Sequence, residues 1–448
     1  MTTRVRVFLR HGGQVLAERR PEDGGEASRW DLLSGQCDDS SAADEPIAVA
    51  RQILRDEIGI ADGVELVRTG SPVETEEGTR SPVLFDLDEA MAADSVVESN
   101  ERRQWISPTA LLHEDAAPGC WEAYERVAPT VRSITADDDH GAAYLSVRAL
   151  EVLRDRAALL AAEGDADADE LLDLGRRLLR ARPSMAVLRN RVNRALNEAI
   201  EEDDGGESGI VSEAEATTPA TRVERAATDG IERAIAADAD AAGEAADLLG
   251  GDSVLTLSRS GTVLATLRRA DPGAVFLAES RPAREGVDVA ETLADTVEAP
   301  VTVHTDAAIA HVLANEDIDA VLVGADTVLP DGRVVNKTGT RVAALAAARE
   351  GIPLYIVAAS DKISHEVSVN LETGNATAVY DGNADLDVRN PTFDVTPGEL
   401  VTSVVTERGR LDKDEVTGVA EEHAAAAEWQ NPPEDGTREP AEAEWDDR

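Results

Sequence analysis

Five short segments in the second half of the chain carry side chains able to hold a phosphorylated small molecule. They are Arg182-Pro183-Ser184 with Leu188 and Asn193; Thr256 to Gly261, containing Ser258 and Arg259; Glu279-Ser280-Arg281-Pro282 with Glu285-Gly286; Gly324-Ala325-Asp326 with Asn336-Lys337-Thr338-Gly339-Thr340; and Asp361-Lys362. Arg281 offers a planar fork for phosphate oxygens and Lys337 a compact point charge. Thr338-Gly339-Thr340 can open a helix whose first amides favour an anion. Only three of the 43 basic residues are lysine, Lys337, Lys362 and Lys413, and two of these fall inside the five segments. In a chain that otherwise uses arginine, an ammonium is kept there for its chemistry. The expected ligand site is Arg182, Arg259, Arg281, Asp326, Asn336, Lys337 and Lys362, with a phosphorylated sugar or nucleotide as guest.

Each segment follows an apolar run or opens a helical one. Ser253 to Leu257, Ala274 to Ala278, Val301 to His304, Ala320 to Val323 and Leu354 to Ala358 are continuous enough for buried parallel strands, and they alternate with helical stretches. That rhythm predicts an α/β unit with a doubly wound sheet, whose strand C-termini gather the intervening loops into one crevice. Upstream, Ala142 to Ala162, Ala168 to Ala181, Ser184 to Glu201 and Pro219 to Leu249 read as helices. The first unit is different in kind. Residues 4 to 9 and 14 to 18 alternate like a hairpin turned at Gly12-Gly13, and a helix with Ile47, Ala50, Ile53, Leu54 and Ile58 on one face follows. The expected units are residues 1–135, a helical subdomain over 138–250, a Rossmann-like domain over 251–415, and an acidic disordered tail over 420–448.

A formal charge of -46 with 42% apolar residues places the acidity on a folded surface and not in a disordered tract. Dense carboxylate with almost no lysine suits a cytosol salty enough to screen charge within a few ångströms, the habit of a halophile. Such a surface opposes nucleic acid, so direct binding to it is not expected. No apolar stretch approaches a membrane span and the N-terminus reads as a strand, so a cytoplasmic protein without membrane contact is expected. Cys37 and Cys120 have no CxxC spacing, which argues against a thiolate zinc site or a disulfide framework.

Trp30-Asp31-Leu32-Leu33-Ser34-Gly35, followed by Ala50 to Ile60 (ARQILRDEIGI) and Glu101 to Pro108, resembles the signature and late strand of the Nudix family. The resemblance implies an α/β/α sandwich that cleaves nucleoside diphosphate derivatives through helix carboxylates and Mg²⁺. Asp56 and Glu57 stand where that family has adjacent glutamates, Glu98 or Glu101 is the expected third ligand, and Gln52-Ile53 replaces the family's Arg-Glu pair.

The five C-terminal segments, with Asn390 to Asp394 and Thr406 to Gly409, resemble the family of initiation factor 2B alpha, beta and delta subunits, ribose-1,5-bisphosphate isomerase and methylthioribose-1-phosphate isomerase. This resemblance implies a homo-oligomer, a dimer or larger, with contact to a translation factor as one consequence. It also implies that a Cys and an Asp move protons in the isomerases. Asp326 matches the Asp, and Ser258 stands at the Cys position. A hydroxyl is a far weaker acid than a thiol. The expectation is therefore a regulatory protein that binds its sugar phosphate or nucleotide, with a Mg²⁺-dependent Nudix hydrolase or a sugar-phosphate isomerase as the alternatives.

Overall fold

Thr3–His11 (β1) and Gln14–Pro21 (β2) form a hairpin whose turn residues Gly12 and Gly13 sit at φ of 56° and 76°, as a tight two-residue turn requires. The structure, a computed structural model, describes residues 3–21, 28–36, 45–60, 63–75, 78–88, 93–98, 100–113, 115–164, 168–204, 218–369 and 371–431. Ser28–Asp31 (β3), Leu33–Gln36 (β4), Val64–Thr69 (β5), Val73–Thr75 (β6), Gly78–Leu87 (β7) and Arg103–Ile106 (β8) join the hairpin in one sheet of central order β3-β2-β1-β7-β5. β1 and β7 run parallel within this otherwise antiparallel sheet.

Period-two alternation divides β1 between two cores. Val5, Val7 and Leu9 pack with Ile53 and Leu54 of Glu45–Ile58 (α1) and Val96 of Ala93–Glu98 (α2). Phe8 faces the other way, toward Trp121 and Tyr124 of Cys120–Glu125 (α3). The sheet thus carries helices on both faces. Cys120 is buried, its thiol pushed up to about 12 by burial, and Cys37 lies outside the described residues.

Val131–Ala136 (α4), Ala142–Glu163 (α5), Ala168–Ala181 (α6), Ala186–Asp204 (α7) and Pro219–Leu248 (α8) build a helical layer around Leu150, Leu153, Leu178, Val192, Leu196 and Ile231. Ile134 of α4 belongs to that core. α4, which precedes residue 138, thus packs its apolar face on the helical layer.

The hairpin tip is wedged against this layer. A Cβ at Gly13 would lie 2.7 Å from Ile231 Cγ2, and Arg154 Nη1 donates to Gly13 O at 2.7 Å. Beside it lies a buried charge cluster. Arg10 grips Asp86 with two bonds of 2.6 and 2.8 Å and donates to Glu151 Oε2 at 3.1 Å. Arg148 Nη2 is 3.0 Å from Glu151 Oε1. Arg154 donates to Asp155, which also accepts from Tyr124 Oη at 2.8 Å.

Ser253–Leu257 (β9), Ala274–Ala278 (β10), Val301–His304 (β11), Ala320–Val323 (β12), Thr327–Val328 (β13), Val334–Lys337 (β14), Leu354–Val357 (β15), Phe393–Thr396 (β16), Ser403–Thr406 (β17) and Gly409–Leu411 (β18) form the C-terminal sheets. The larger sheet runs β11-β10-β9-β12-β15-β17-β18, parallel up to β17, with β18 returning antiparallel. Gly261–Ala270 (α9), Glu285–Thr296 (α10), Ile309–Asn315 (α11), Thr340–Glu350 (α12) and Lys413–Ala426 (α13) accompany it, and β13-β14-β16 form a small side sheet. Strand order reverses between β9 and β12, which opens a crevice at their C-terminal ends.

The first residues of the segment expected as a tail, 420–431, are ordered against the fold. α13 continues to Ala426, and the short turn Glu428–Gln430 sets Trp429 against the helical core. Residues 432–448 lie outside the described residues. Among the described residues no helix is long and apolar enough to cross a membrane.

Candidate functional site

The loop after β9 and the loop after β12 meet at the reversal point. A Cβ on Gly324 would lie 2.7 Å from Ser260 Oγ, so glycine permits the approach. Ser258, left-handed at φ 64°, donates its amide to Ser280 Oγ at 2.7 Å, which ties the β9 loop to the β10 loop. Its own hydroxyl donates to Glu285 Oε2 at 2.7 Å, and Lys337 Nζ donates to Glu285 Oε1 at 2.8 Å. β9, the start of α10 and the end of β14 are thereby joined through one carboxylate.

Asp326 follows β12, its amide donating to Val335 O at 3.0 Å. Burial pushes its carboxyl above the ordinary 3.8, with Glu372 and Glu285 adding to the rise and Lys362 and Lys337 opposing it. Glu285 is displaced in the opposite sense. Burial would raise it, but the Lys337 and Ser258 hydrogen bonds and the charges of Lys337 and Arg259 hold it below its usual range. The two carboxyls are thus displaced in opposite directions, Asp326 upward by burial and Glu285 downward by its hydrogen bonds and neighbouring cations.

Lys362 is presented by a short turn, Ser360–Lys362, clamped from several sides. Asn190 of α7 donates to Asp361 O and Ile363 O, both at 2.8 Å. Arg191 Nε donates to Asp361 Oδ2 at 2.8 Å, and Arg194 reaches Asp361 Oδ1. Glu407 accepts from Ser360 N at 2.8 Å, and buried His423 Nε2 lies 3.2 Å from Ser360 O. Arg191 also donates to Ser146 Oγ on α5 at 2.8 Å, so the helical layer braces the lysine.

The paired arginines hold the Asp361 carboxyl below 3.8 despite its burial. Its stabilising contribution is present above that pH and lost as pH falls below it. Replacing Asp361 with Asn should cost about 3–5 kcal/mol in urea denaturation, because two arginines lose their buried partner. Burial lowers His423 to about 4. The unfolded chain takes up that proton first as pH falls from 6.5 toward 4, which removes on the order of 3 kcal/mol of stability. A His423→Gln variant should show a flatter melting profile across that window.

Several expected site residues are placed otherwise. Arg182 donates Nε to Ile134 O at 2.9 Å and Nη2 to Asp137 O, answering carbonyls at the end of α4 that have no intrahelical partner. Asn336 is buried and bonds Thr340 Oγ1 at 3.0 Å, joining β14 to α12. Two amides at the start of α12 are taken by Asp394, which accepts from Gly339 N at 2.8 Å and Arg341 N at 3.1 Å. Arg281 is exposed, its amide held by Asp306 Oδ2 at 2.7 Å. Arg259 is exposed too and donates to Asp139 O at 3.3 Å. Glu285 stands in the segments read from the sequence, but no role follows from its position alone. Asn190, Arg191 and Arg194 have a local signal, polar groups interrupting the apolar stripe of a helix that also carries Val187, Leu188 and Val192.

In the N-terminal unit Asp56 and Glu57 are exposed at the end of α1. Asp56 accepts from Gln52 at 2.7 Å, and Glu57 lies 3.6 Å from Arg103, which also approaches Glu18. The Glu98 side chain lies outside the described residues. Among the described residues no third His, Cys, Asp or Glu joins Asp56 and Glu57. Mg²⁺ prefers near-octahedral oxygen ligation, and of the expected donors Asp56, Glu57 and Glu101 are described, with Glu57 3.6 Å from Arg103.

Residues 138–413 match the model of the initiation factor 2 subunit family. A ribose 1,5-bisphosphate isomerase of Haloferax volcanii is 31% identical over 315 residues, 65% of this chain and 92% of that protein. A methylthioribose-1-phosphate isomerase of Albidiferax ferrireducens is 34% identical over 181 residues, 37% of this chain; the chain spans 51% of that relative's length. Among solved structures, the 5-methylthioribose 1-phosphate isomerase of Pyrococcus horikoshii OT3 aligns with a TM-score of 0.50 at 20% identity, covering 72% of this chain and 89% of that one. The tetrameric eIF2B-beta2-delta2 complex from C. thermophilum aligns with a TM-score of 0.50 at 21% identity, covering 65% and 92%. These two likenesses concern the fold, whereas the match over 138–413 and the relative from H. volcanii concern descent: the chain belongs to the initiation factor 2 subunit family.

Proposed function

We propose that the crevice between β9 and β12 isomerises a phosphorylated pentose, with Asp326 transferring a proton and Lys337 and Lys362 meeting the phosphate charge. The observation that carries this reading is Asp326 itself, a carboxyl whose pKa burial raises beside two lysines in a chain nearly free of lysine. The relative from H. volcanii, matched over 92% of its length, supports a pentose bisphosphate as the first substrate to test. Binding without turnover, the expectation drawn from Ser258, yields first place because Glu285 supplies an acid-base group beside that hydroxyl. Ribose 1,5-bisphosphate in molar KCl should give a ketose detectable by NMR. Calorimetric binding with no ketose would return the protein to the regulatory reading, in which contact with a translation factor becomes the next question.

The acidic, lysine-poor surface supports a halophilic protein, so the melting temperature should climb as KCl is raised from about 0.1 M toward molar concentrations, where repulsion is screened. Val342 and Leu345 on α12 are about half exposed, at 52% and 53%. This supports a homodimer through that face, and Leu345→Glu should shift sedimentation from dimer to monomer. The N-terminal sheet supports a Nudix-like sandwich serving as a docked module without its own metal chemistry. Phosphate release from a nucleoside diphosphate sugar that depends on both Mg²⁺ and Glu57 would refute that assignment.

A further inference from the structure

We propose that Glu285 is the second proton-transferring group of this site, working opposite Asp326, and that Ser258 acts only by orienting it. The inference rests on the isomerase reading and extends it to a residue with no role in the sequence argument. Ser258 cannot serve as the acid while its hydroxyl is spent on Glu285 Oε2 at 2.7 Å. Lys337 fixes the other oxygen at 2.8 Å. Both oxygens are therefore oriented, yet the side chain remains a quarter exposed, at 25%. Glu285 also opens α10, where the helix dipole favours a carboxylate.

The groups acting on Glu285 are Lys337, Ser258 and Arg259; those acting on Asp326 are Lys362, Glu372, Lys337 and Glu285 itself. Two carboxyls whose environments push them apart divide naturally into an acid and a base.

A balanced cycle follows for a furanose 1-phosphate. Asp326 gives its proton to the ring oxygen as the C1–O4 bond breaks, which leaves an oxocarbenium centre at C1. Glu285 takes the C2 proton, and the C–H electron pair becomes the C1–C2 double bond of an enol phosphate. The C2 hydroxyl then returns a proton to Asp326 as the carbonyl forms, and Glu285 delivers its proton to C1. Both carboxyls end as they began, and no redox partner is consumed.

The test uses the full chain with ribose 1,5-bisphosphate in molar KCl, following ketose by NMR, with melting curves to verify folding of each variant. Glu285→Gln should lower kcat by about 10²–10⁴-fold with little change in KM, and Glu285→Asp should recover at least about tenfold of that loss. Ser258→Ala removes a hydrogen bond that holds Glu285 ionised, so the acid limb of kcat/KM should move to higher pH. If Glu285→Gln raises KM and keeps kcat within about tenfold, Glu285 merely holds Lys337, and the proposal falls while the isomerase reading stands. An acid limb unmoved in Ser258→Ala overturns it as well. A wild-type chain that binds the bisphosphate without converting it removes both.

Discussion

Asp326→Asn should abolish most turnover while making the protein more stable. Loss of a positioned acid typically lowers kcat by about 10²–10⁴-fold. The stability gain has the opposite origin. Burial raises the Asp326 carboxyl above its ordinary 3.8, so the unfolded chain ionises it more readily than the native one. Its contribution is favourable at low pH, is lost as pH rises from 3.8 through the folded value, and becomes a constant cost beyond that. Asparagine keeps the shape and removes the charge. The variant should melt higher than wild type at neutral pH, and the difference should vanish in acid. A residue kept for packing would behave the other way, losing stability and leaving kcat alone. An unchanged kcat in a folded Asp326→Asn protein would remove the assignment.

Glu151→Ala should destabilise the whole chain by about 3–5 kcal/mol. Glu151 is fully buried, and its two oxygens answer Arg10 and Arg148, side chains that are themselves buried. Truncation strands part of two guanidinium charges away from water, and that uncompensated burial sets the size of the loss. The double variant Arg10→Met with Glu151→Leu should cost less than Glu151→Ala, since it removes charge of both signs and leaves Arg148 beside Asp86, 4.0 Å away. Buried pairs are screened far less than surface ones. The penalty, measured by urea denaturation, should therefore persist across molar KCl, in contrast to the salt-dependent repulsion of the acidic surface. A loss under about 1 kcal/mol would show that the cluster is solvated like a surface pair, leaving the hairpin tip to Ile231 packing on Gly13 and the Arg154 bond to Gly13 O.

Local chemistry made much of the C-terminal half legible. Five apolar runs became β9, β10, β11, β12 and β15; the central β9 and β12 are buried on both faces of the parallel sheet, which leaves a continuous apolar signature, while β11 is a part-exposed edge strand. β17 has no such local signature although Ser403 to Thr406 is buried throughout, since four residues without regular neighbours cannot be told from a loop. The start of α13 inside an alanine-rich, acidic stretch was hidden for a similar reason: its few apolar contacts, Val416, Val419 and Ala420, come from the sheet it covers.

The sequence by itself determined where the candidate groups stand: two of the three lysines, Lys337 and Lys362, and Asp326, all at or beyond strand ends. Tertiary structure alone decided which groups share it. Arg182 and Asn336 were drawn into bonds with nearby carbonyls and hydroxyls, because unpaired polar groups near a core are costly. Glu285, 41 residues before Asp326 in the chain, acquired its place only when the reversal of strand order set the β9 and β12 loops side by side. Spacing along a chain reports local geometry, and the partners of a charge in a crevice are fixed by contacts between distant strands.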